Sequence, residues 1–292
     1  MRDQENGVAA IRKFVQRAEA LDFDSLWVQE SILGKSNVLE PVTLLTYAAA
    51  LTERLRLGVS IMLLTLRNPI QLAKSLTSLD NLSHGRIDAG IGIGGHVPEE
   101  TFGHTHDGRV QRFEESIQVM KTLWTQPEAT FSGRCWNFEN ISVTPLPVQQ
   151  PHPPIWFGAR QPPALRRAVA FGDAFMGAGS STLSDFTTQN SQLQQYLDEA
   201  DRDPAMFRIS KRVYLAIDND KARAEQRLVE GFGNYYGNDE MARRVAVWGS
   251  RDEVIEKCAD FVAAGAKHLL LHPVFDEMEH MEQLAAEVMP HL

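Results

Sequence analysis

Apolar positions along this chain follow two alternating rhythms. Val8, Ile11, Phe14, Val15, Ala18 and Leu21 recur at steps of three and four, which puts one apolar stripe along a helix. Residues 25–29 (SLWVQ) then read as a strand. A helix over about 40–53 carries Pro41 in its first turn, where a missing N–H costs least. Residues 57–64 (LGVSIMLL) form a buried strand, 69–82 a helix, and 87–93 (IDAGIGI) a glycine-rich strand. A helix over 109–124 and a small hairpin within 131–143 follow. The proline-rich stretch 145–154 is an extended connection. Further strands fall at 154–158, 173–177, 207–217 and 268–274. Helices fall at 164–171, 183–200, in a long stretch to about 247, and at 253–264 and 278–289.

This pattern predicts seven strands, each followed by at least one helix. Near-continuous apolar strands in β/α repeats mean a parallel sheet covered by helices. With 292 residues, the repeat number favours an α/β fold of the (β/α)8 TIM-barrel type over an open doubly wound sheet. The pattern begins directly in a helix, so the expected barrel lacks its first strand in this chain. A parallel strand within residues 1–6 would overturn that. The expected organisation is one barrel domain over residues 1–292, with a hairpin insertion near 128–150.

Composition narrows the partners. There are 29 basic and 38 acidic residues, for a net charge of −9, and no long block of like charge, so no nucleic-acid partner is expected. No apolar run reaches the roughly 18 residues that a membrane span needs. Cys135 and Cys258 lie far apart and read as ordinary thiols of a reducing compartment. The opening MRDQENG has no apolar core of a signal peptide, so the expected location is cytoplasmic.

Several motifs match chemistry only in part. Residues 90–95 (GIGIGG) match GxGxxG, but a dinucleotide site needs a helix opening at the last glycine, and the chain continues His96-Val97-Pro98. These glycines instead read as a strand end that lets backbone approach a flat ligand. Gly34-Lys35-Ser36 lacks the upstream glycine of a phosphate loop, since Gln29 stands there. His96, His104 and His106 cluster with Glu99, Glu100 and Asp107 at no standard metal spacing, so no metal is expected. His268 and His272 share one strand face and read first as core histidines.

In a barrel, the strand ends and following loops build the site. Here they offer Glu30, Ser31 and His96 as an acid–base set, with Trp27, Trp156 and Phe157 as aromatic walls. Two small-residue loops, 158–161 (GARQ) and 177–181 (GAGSS), each precede a helix. Helix N-termini of this kind favour a phosphate, and Arg160 adds a charge-assisted bond. The residues alone therefore suggest a phosphate-bearing, flat, partly apolar ligand.

The ordered set of stretches 23–28 (FDSLWV), 56–69 (RLGVSIMLLTLRNP), 73–94 (AKSLTSLDNLSHGRIDAGIGIG), LWT at 123–125 with FSGR at 131–134, and 145–158 (PLPVQQPHPPIWFG) resembles the luciferase-like monooxygenase family. RRA at 166–168 with GDA at 172–174 completes it, and the similarity spans most of the chain. The resemblance implies a barrel enzyme that uses FMN or the deazaflavin coenzyme F-420 (F420), with the glycine-rich fourth strand closer to the F420 branch. It implies a non-proline cis peptide at Ser60-Ile61 and a cofactor ring against Ser60, Ile61, Met62, Gly92 and Gly94. Gly158, Ala159, Arg160, Gly177 and Ala178 would lie near the cofactor phosphate. Relatives often carry Asp-His where this chain has Glu30-Ser31, so Glu30 and His96 become the candidate proton donors. The loop over 95–108 is the candidate lid. A small organic substrate, reduced or monooxygenated, and a homodimer complete the implied picture. Two alternatives stay open. One is a non-catalytic relative that binds a ligand or partner without turnover. The other is a hydrolase or aldolase-type barrel using Glu30 and His272.

Overall fold

The computed structural model describes residues 7–33, 38–95 and 99–292. The expectation that no strand precedes the first helix falls on residues 1–6, outside the described residues, as does the Gly34-Lys35-Ser36 segment. The chain gathers into two compact units, one drawing on residues 7–16 and 24–158, the other on 17–23 and 159–292.

In the first unit the elements run α1 (Gly7–Ala20), β1 (Ser25–Val28), α2 (Pro41–Ala49), β2 (Arg56–Val59), β3 (Met62–Leu63), α3 (Pro69–Leu82), β4 (Ile87–Gly92), α4 (Arg109–Thr125), β5 (Ala129–Ser132), β6 (Asn137–Ile141) and β7 (Ile155–Ala159). The last strand ends, and the last turn of α1 lies, in the second unit. Strands β1, β2, β4 and β7 pair in that order, all parallel, and β3 pairs with β4. Every residue of β4 is buried, as a strand covered on both faces requires.

Two buried polar residues lock this sheet to its helices. Arg86 donates to the carbonyls of Ala49, Thr52, Leu55 and Ser83 and to Thr52 Oγ1, at 2.7–3.0 Å. One of these, Ala49 O, is the last carbonyl of α2, where a helix end leaves carbonyls without an intrahelical partner. Asp80, wholly buried, accepts from the Val148 and Gln149 amides at 2.7 and 3.0 Å and from Gln149 Nε2 at 2.8 Å, which fastens the proline-rich connection. Gly85 turns the chain between them at φ +78, a value that favours glycine. The LSHGR stretch is thus a structural rivet.

β5 and β6 form the expected antiparallel hairpin. Glu115 of α4 organises its tip, accepting from the Cys135 and Arg134 amides at 2.7 and 3.1 Å and from Gln111 at 3.0 Å. Burial alone would raise this carboxyl's pKa, but the backbone donors outweigh it and hold the pKa below the ordinary 4.5. A depressed folded pKa contributes stability above the unfolded value, and that stability is lost as pH falls through the folded one. Acid titration from pH 5 downward is therefore expected to loosen the tip, read as faster amide exchange at residues 133–136. A Glu115→Gln variant should lose this dependence.

The second unit continues with α5 (Pro162–Phe171), β8 (Ala174–Gly177), α6 (Leu183–Glu199), β9 (Arg208–Ile217), α7 (Lys221–Tyr236), α8 (Glu240–Val245), β10 (Val247–Gly249), α9 (Arg251–Ala263), β11 (His268–Pro273) and α10 (Glu277–Gln283). β8, β10 and β11 each pair parallel with β9. Phe175, Phe186, Leu193, Val213, Leu215, Val254 and Phe261 form the core between this sheet and its helices. Capping boxes, Thr182 with Asp185 and Ser250 with Glu253, open α6 and α9.

The structure departs from the expected elements in two places. The stretch read as helical to 247 breaks at Gly237, whose φ of +63 ends α7. It ends in an eighth parallel run, β10, where seven were expected. Three residues are too few to show an alternation, and β10 follows α8 after a single residue. The strand expected over 57–64 is interrupted after Val59 and resumes at Met62.

Candidate functional site

The interruption in that strand is the first feature of the site. The peptide between Ser60 and Ile61 is cis. The Ser60 amide donates to Val28 O at 2.8 Å, which ties the bulge back to β1. The Ile61 side chain lies between two glycines. A Cβ on Gly92 would overlap Ile61 Cδ1, and one on Gly158 would sit 2.9 Å from the same atom. A Cβ on Gly90 would overlap the Val59 carbonyl. The glycines of β4 and β7 therefore make room for this chain's own bulge, a use that the GxGxxG pattern does not disclose. Among the described residues, the first α-helix after β4 is α4. Met62 is fully buried, so its side chain belongs to the core beneath.

Glu30 stands beside the bulge, and its side chain is 0% exposed. Its Oε2 accepts from the Leu63 amide at 2.5 Å, and its Oε1 accepts both Nε and Nη2 of Arg67, the former at 2.9 Å. Arg67 also reaches Glu40, 3.0 Å away, whose carboxylate caps α2 through the Thr43 amide. Both Glu30 oxygens thus serve as acceptors that fix the backbone just past Ile61. This geometry suits an anchor.

Beneath the bulge, Asp88 accepts from Arg56 at 2.7 and 2.9 Å and from Trp156 Nε1 at 3.0 Å. Burial works against the Arg56 charge, but Asp88, aided by Asp24 and Asp80, outweighs it and raises the guanidinium's pKa. Trp27 meets Trp156 edge to face at 5.2 Å. The aromatic walls read from the sequence are in this way hydrogen-bonded and packed within the unit.

After β4, Gly94 has φ +76, and Arg109 Nη2 binds the carbonyls of Ile93 at 2.7 Å and Gly95 at 3.2 Å. A side chain at Gly95 would meet nothing within 4 Å. His96, the other candidate proton donor, lies outside the described residues. The acidic and histidine cluster beyond it centres on Glu99, which is buried. Its carboxylate is 2.8 Å from His106 Nδ1 and 3.3 and 3.4 Å from Arg109 and Arg112. Among the described residues, no group of three or more His, Cys, Asp or Glu is placed to hold a metal.

The second unit carries the two small-residue loops. Arg160 donates from Nη1 to Ser180 Oγ at 3.1 Å, which joins the loop before α5 to the loop before α6. Gly177 lies against the Ser210 carbonyl, where a Cβ would come within 2.9 Å, and a Cβ on Gly179 would overlap the Tyr214 ring. Ala178 accepts the Ser181 amide at 3.1 Å, closing a tight turn just before the α6 cap. Ala159 is buried in the helix-side core. Sequence reasoning missed Lys211, an almost fully buried lysine on β9 that donates to the Ala178 and Ser181 carbonyls at 2.6 and 2.9 Å. In the sequence it is one of three basic residues in a run that is otherwise mostly apolar, and nothing there sets it apart from Arg208 and Arg212. Of the two histidines on β11, His268 pairs with Ser210 at 2.8 Å and His272 packs on Tyr214 at 5.0 Å. Both have core partners.

Parallel β/α repeats with glycine-lined strand ends define an α/β enzyme of the TIM-barrel class. Solved structures agree. An F420-dependent secondary alcohol dehydrogenase superposes with a TM-score of 0.86 at 19% identity, over 98% of this chain and 96% of its own. A monooxygenase from Streptomyces bottropensis superposes with a TM-score of 0.81 at 25% identity, over 97% and 93%. The F420-dependent glucose-6-phosphate dehydrogenase of Kineococcus radiotolerans is 28% identical, covering 95% of this chain and 91% of the relative. The family model for luciferase-like monooxygenases matches residues 1–238. The chain belongs to the luciferase-like monooxygenase family, and it is an oxidoreductase. No helix among the described residues is long and apolar enough to cross a membrane.

A Gly92→Ala substitution tests the bulge. The new methyl must displace Ile61 Cδ1, so cofactor affinity is expected to fall about tenfold or more while secondary structure persists. Titration followed by fluorescence, with far-UV circular dichroism as control, checks this.

Proposed function

We propose that this protein is an F420-dependent oxidoreductase that passes a hydride between the deazaflavin and a small organic alcohol or carbonyl compound. The observation that carries this reading is the Ile61 bulge clasped between Gly92 and Gly158, in a chain whose full-length relatives include F420-dependent dehydrogenases. The residues fit the group. The bulge with Gly92 and Gly94 offers an apolar, close-approach surface for a flat ring. Separately, Arg160, Ser180 and the glycine-lined turn before α6 suit a phosphate.

When bound, the deazaflavin supplies or accepts the hydride, and every remaining task belongs to the chain. Ile61 supports the ring face, held in place by the glycines on either side. Glu30 and Arg67 fix the backbone at Leu63, so that the support is rigid. Arg109 holds the carbonyls at the end of β4 and so sets where the loop bearing His96 begins. We assign His96 the proton on the substrate oxygen, and Glu30 a positioning role. A cytoplasmic homodimer belongs to the same reading, and light scattering checks the dimer.

Titration of purified protein with F420 and with FMN tests the assignment. Saturable F420 binding and F420-linked turnover are the expected results. Tight FMN binding with oxygen consumption would instead favour the monooxygenase reading, which the similarity to the Streptomyces bottropensis enzyme supports. Binding of neither would favour a relative without turnover. Turnover by cofactor-free protein would favour the hydrolase reading.

A further inference from the structure

We infer that Lys211 is a positioning residue that shapes the 178–181 turn into a phosphate receptor, acting from behind the turn without touching the ligand. This rests on the assignment of that turn to the cofactor phosphate. Lys211 is 1% exposed and sits on β9, with its Nζ 5.2 Å from the Phe261 ring. A lysine is almost never fully buried without a specific partner, and among the described residues no carboxylate is bonded to it. Its hydrogen bonds go to two backbone carbonyls instead, Ala178 O at 2.6 Å and Ser181 O at 2.9 Å. Burial, reinforced by the nearby Arg212 charge and only partly offset by Asp185, pushes its pKa down to about 7. The amine keeps N–H donors for both carbonyls whether charged or neutral.

The consequence follows from peptide planarity. In a trans peptide the C=O and the next N–H point in opposite directions. Drawing the Ala178 carbonyl toward Lys211 therefore turns the Gly179 N–H away from it. Drawing in the Ser181 carbonyl does the same to the Thr182 N–H, which Asp185 Oδ2 accepts at 2.9 Å in the capping box. Gly179 cannot be replaced, because a Cβ there would overlap Tyr214. Ser180 between them is held by Arg160. A donor N–H, a hydroxyl, a guanidinium and the start of a 17-residue helix are thereby gathered at one turn, and Lys211 fixes the turn's orientation.

The test compares ligands with and without phosphate: F420 against its phosphate-free riboside core, and FMN against riboflavin. Wild-type protein should bind at least one phosphate-bearing form about tenfold or more tightly than its phosphate-free counterpart. In Lys211→Met that preference should shrink about tenfold, with phosphate-free affinity unchanged within about twofold. A general packing defect would weaken both forms alike and would overturn the inference, as would a variant that keeps the preference. If wild type shows no preference, the phosphate assignment of the turn fails first and the inference falls with it. Hydrogen exchange on cofactor-free wild type covers the case of a variant that does not fold. The Ser181 and Thr182 amides, already bonded within the turn and the cap, should be protected before ligand is added, and exchange there at unprotected rates would contradict the role given to Lys211.

Discussion

Replacing Arg86 with methionine is expected to lower stability by about 4 kcal/mol. The side chain is 8% exposed and donates to four backbone carbonyls and one hydroxyl. Methionine matches its apolar length but offers no donor, so those carbonyls stay buried and unpaired. Each such group costs about 1–3 kcal/mol, softened where water enters. For a chain of this size the midpoint of thermal unfolding should fall by roughly 10 °C. Differential scanning calorimetry reads this directly. A shift of only one or two degrees would mean that Arg86 is no rivet.

The second large effect belongs to Glu30. Glu30→Ala strands the Leu63 amide and the Arg67 guanidinium, whose side chain is 18% exposed, and breaking such a buried pair costs about 3–5 kcal/mol. Glu30→Gln is the sharper experiment. Its amide oxygen can still accept from Leu63, but the charge that holds Arg67 is gone. An anchor predicts a cofactor dissociation constant raised about tenfold, with turnover at saturating cofactor changed little. A proton donor predicts the reverse, with affinity unchanged and turnover down by a factor on the order of 100 or more. Measuring both constants on one variant separates the two roles.

Much of this was legible in the sequence, for physical reasons. Long amphipathic helices such as α4 and α6 announce themselves because burial demands a stripe at helical spacing. The parallel strands β4, β7 and β8 are nearly uniform apolar runs, as strands covered on both faces must be. Short or interrupted elements carry no such signature. β10 has three residues, and β3 has two. The candidate site was legible as a set of loops but not as a set of roles. Gly90 and Gly92 stood out as glycines, yet what they accommodate is Val59 O and Ile61, neighbours fixed only by folding. Glu30 stood out as an acid at a strand end, but its partner Arg67 lies 37 residues away. Lys211 drew no attention because its acceptors are backbone carbonyls, which no side-chain pattern marks.

We propose that this chain holds a deazaflavin against the Ile61 bulge. The most direct measurement is an F420 titration of purified protein, run in parallel on Gly92→Ala. Wild type should saturate at one cofactor per chain, and the variant should bind about tenfold more weakly or worse. Equal binding by the two proteins, or no saturable F420 binding by wild type, would contradict it.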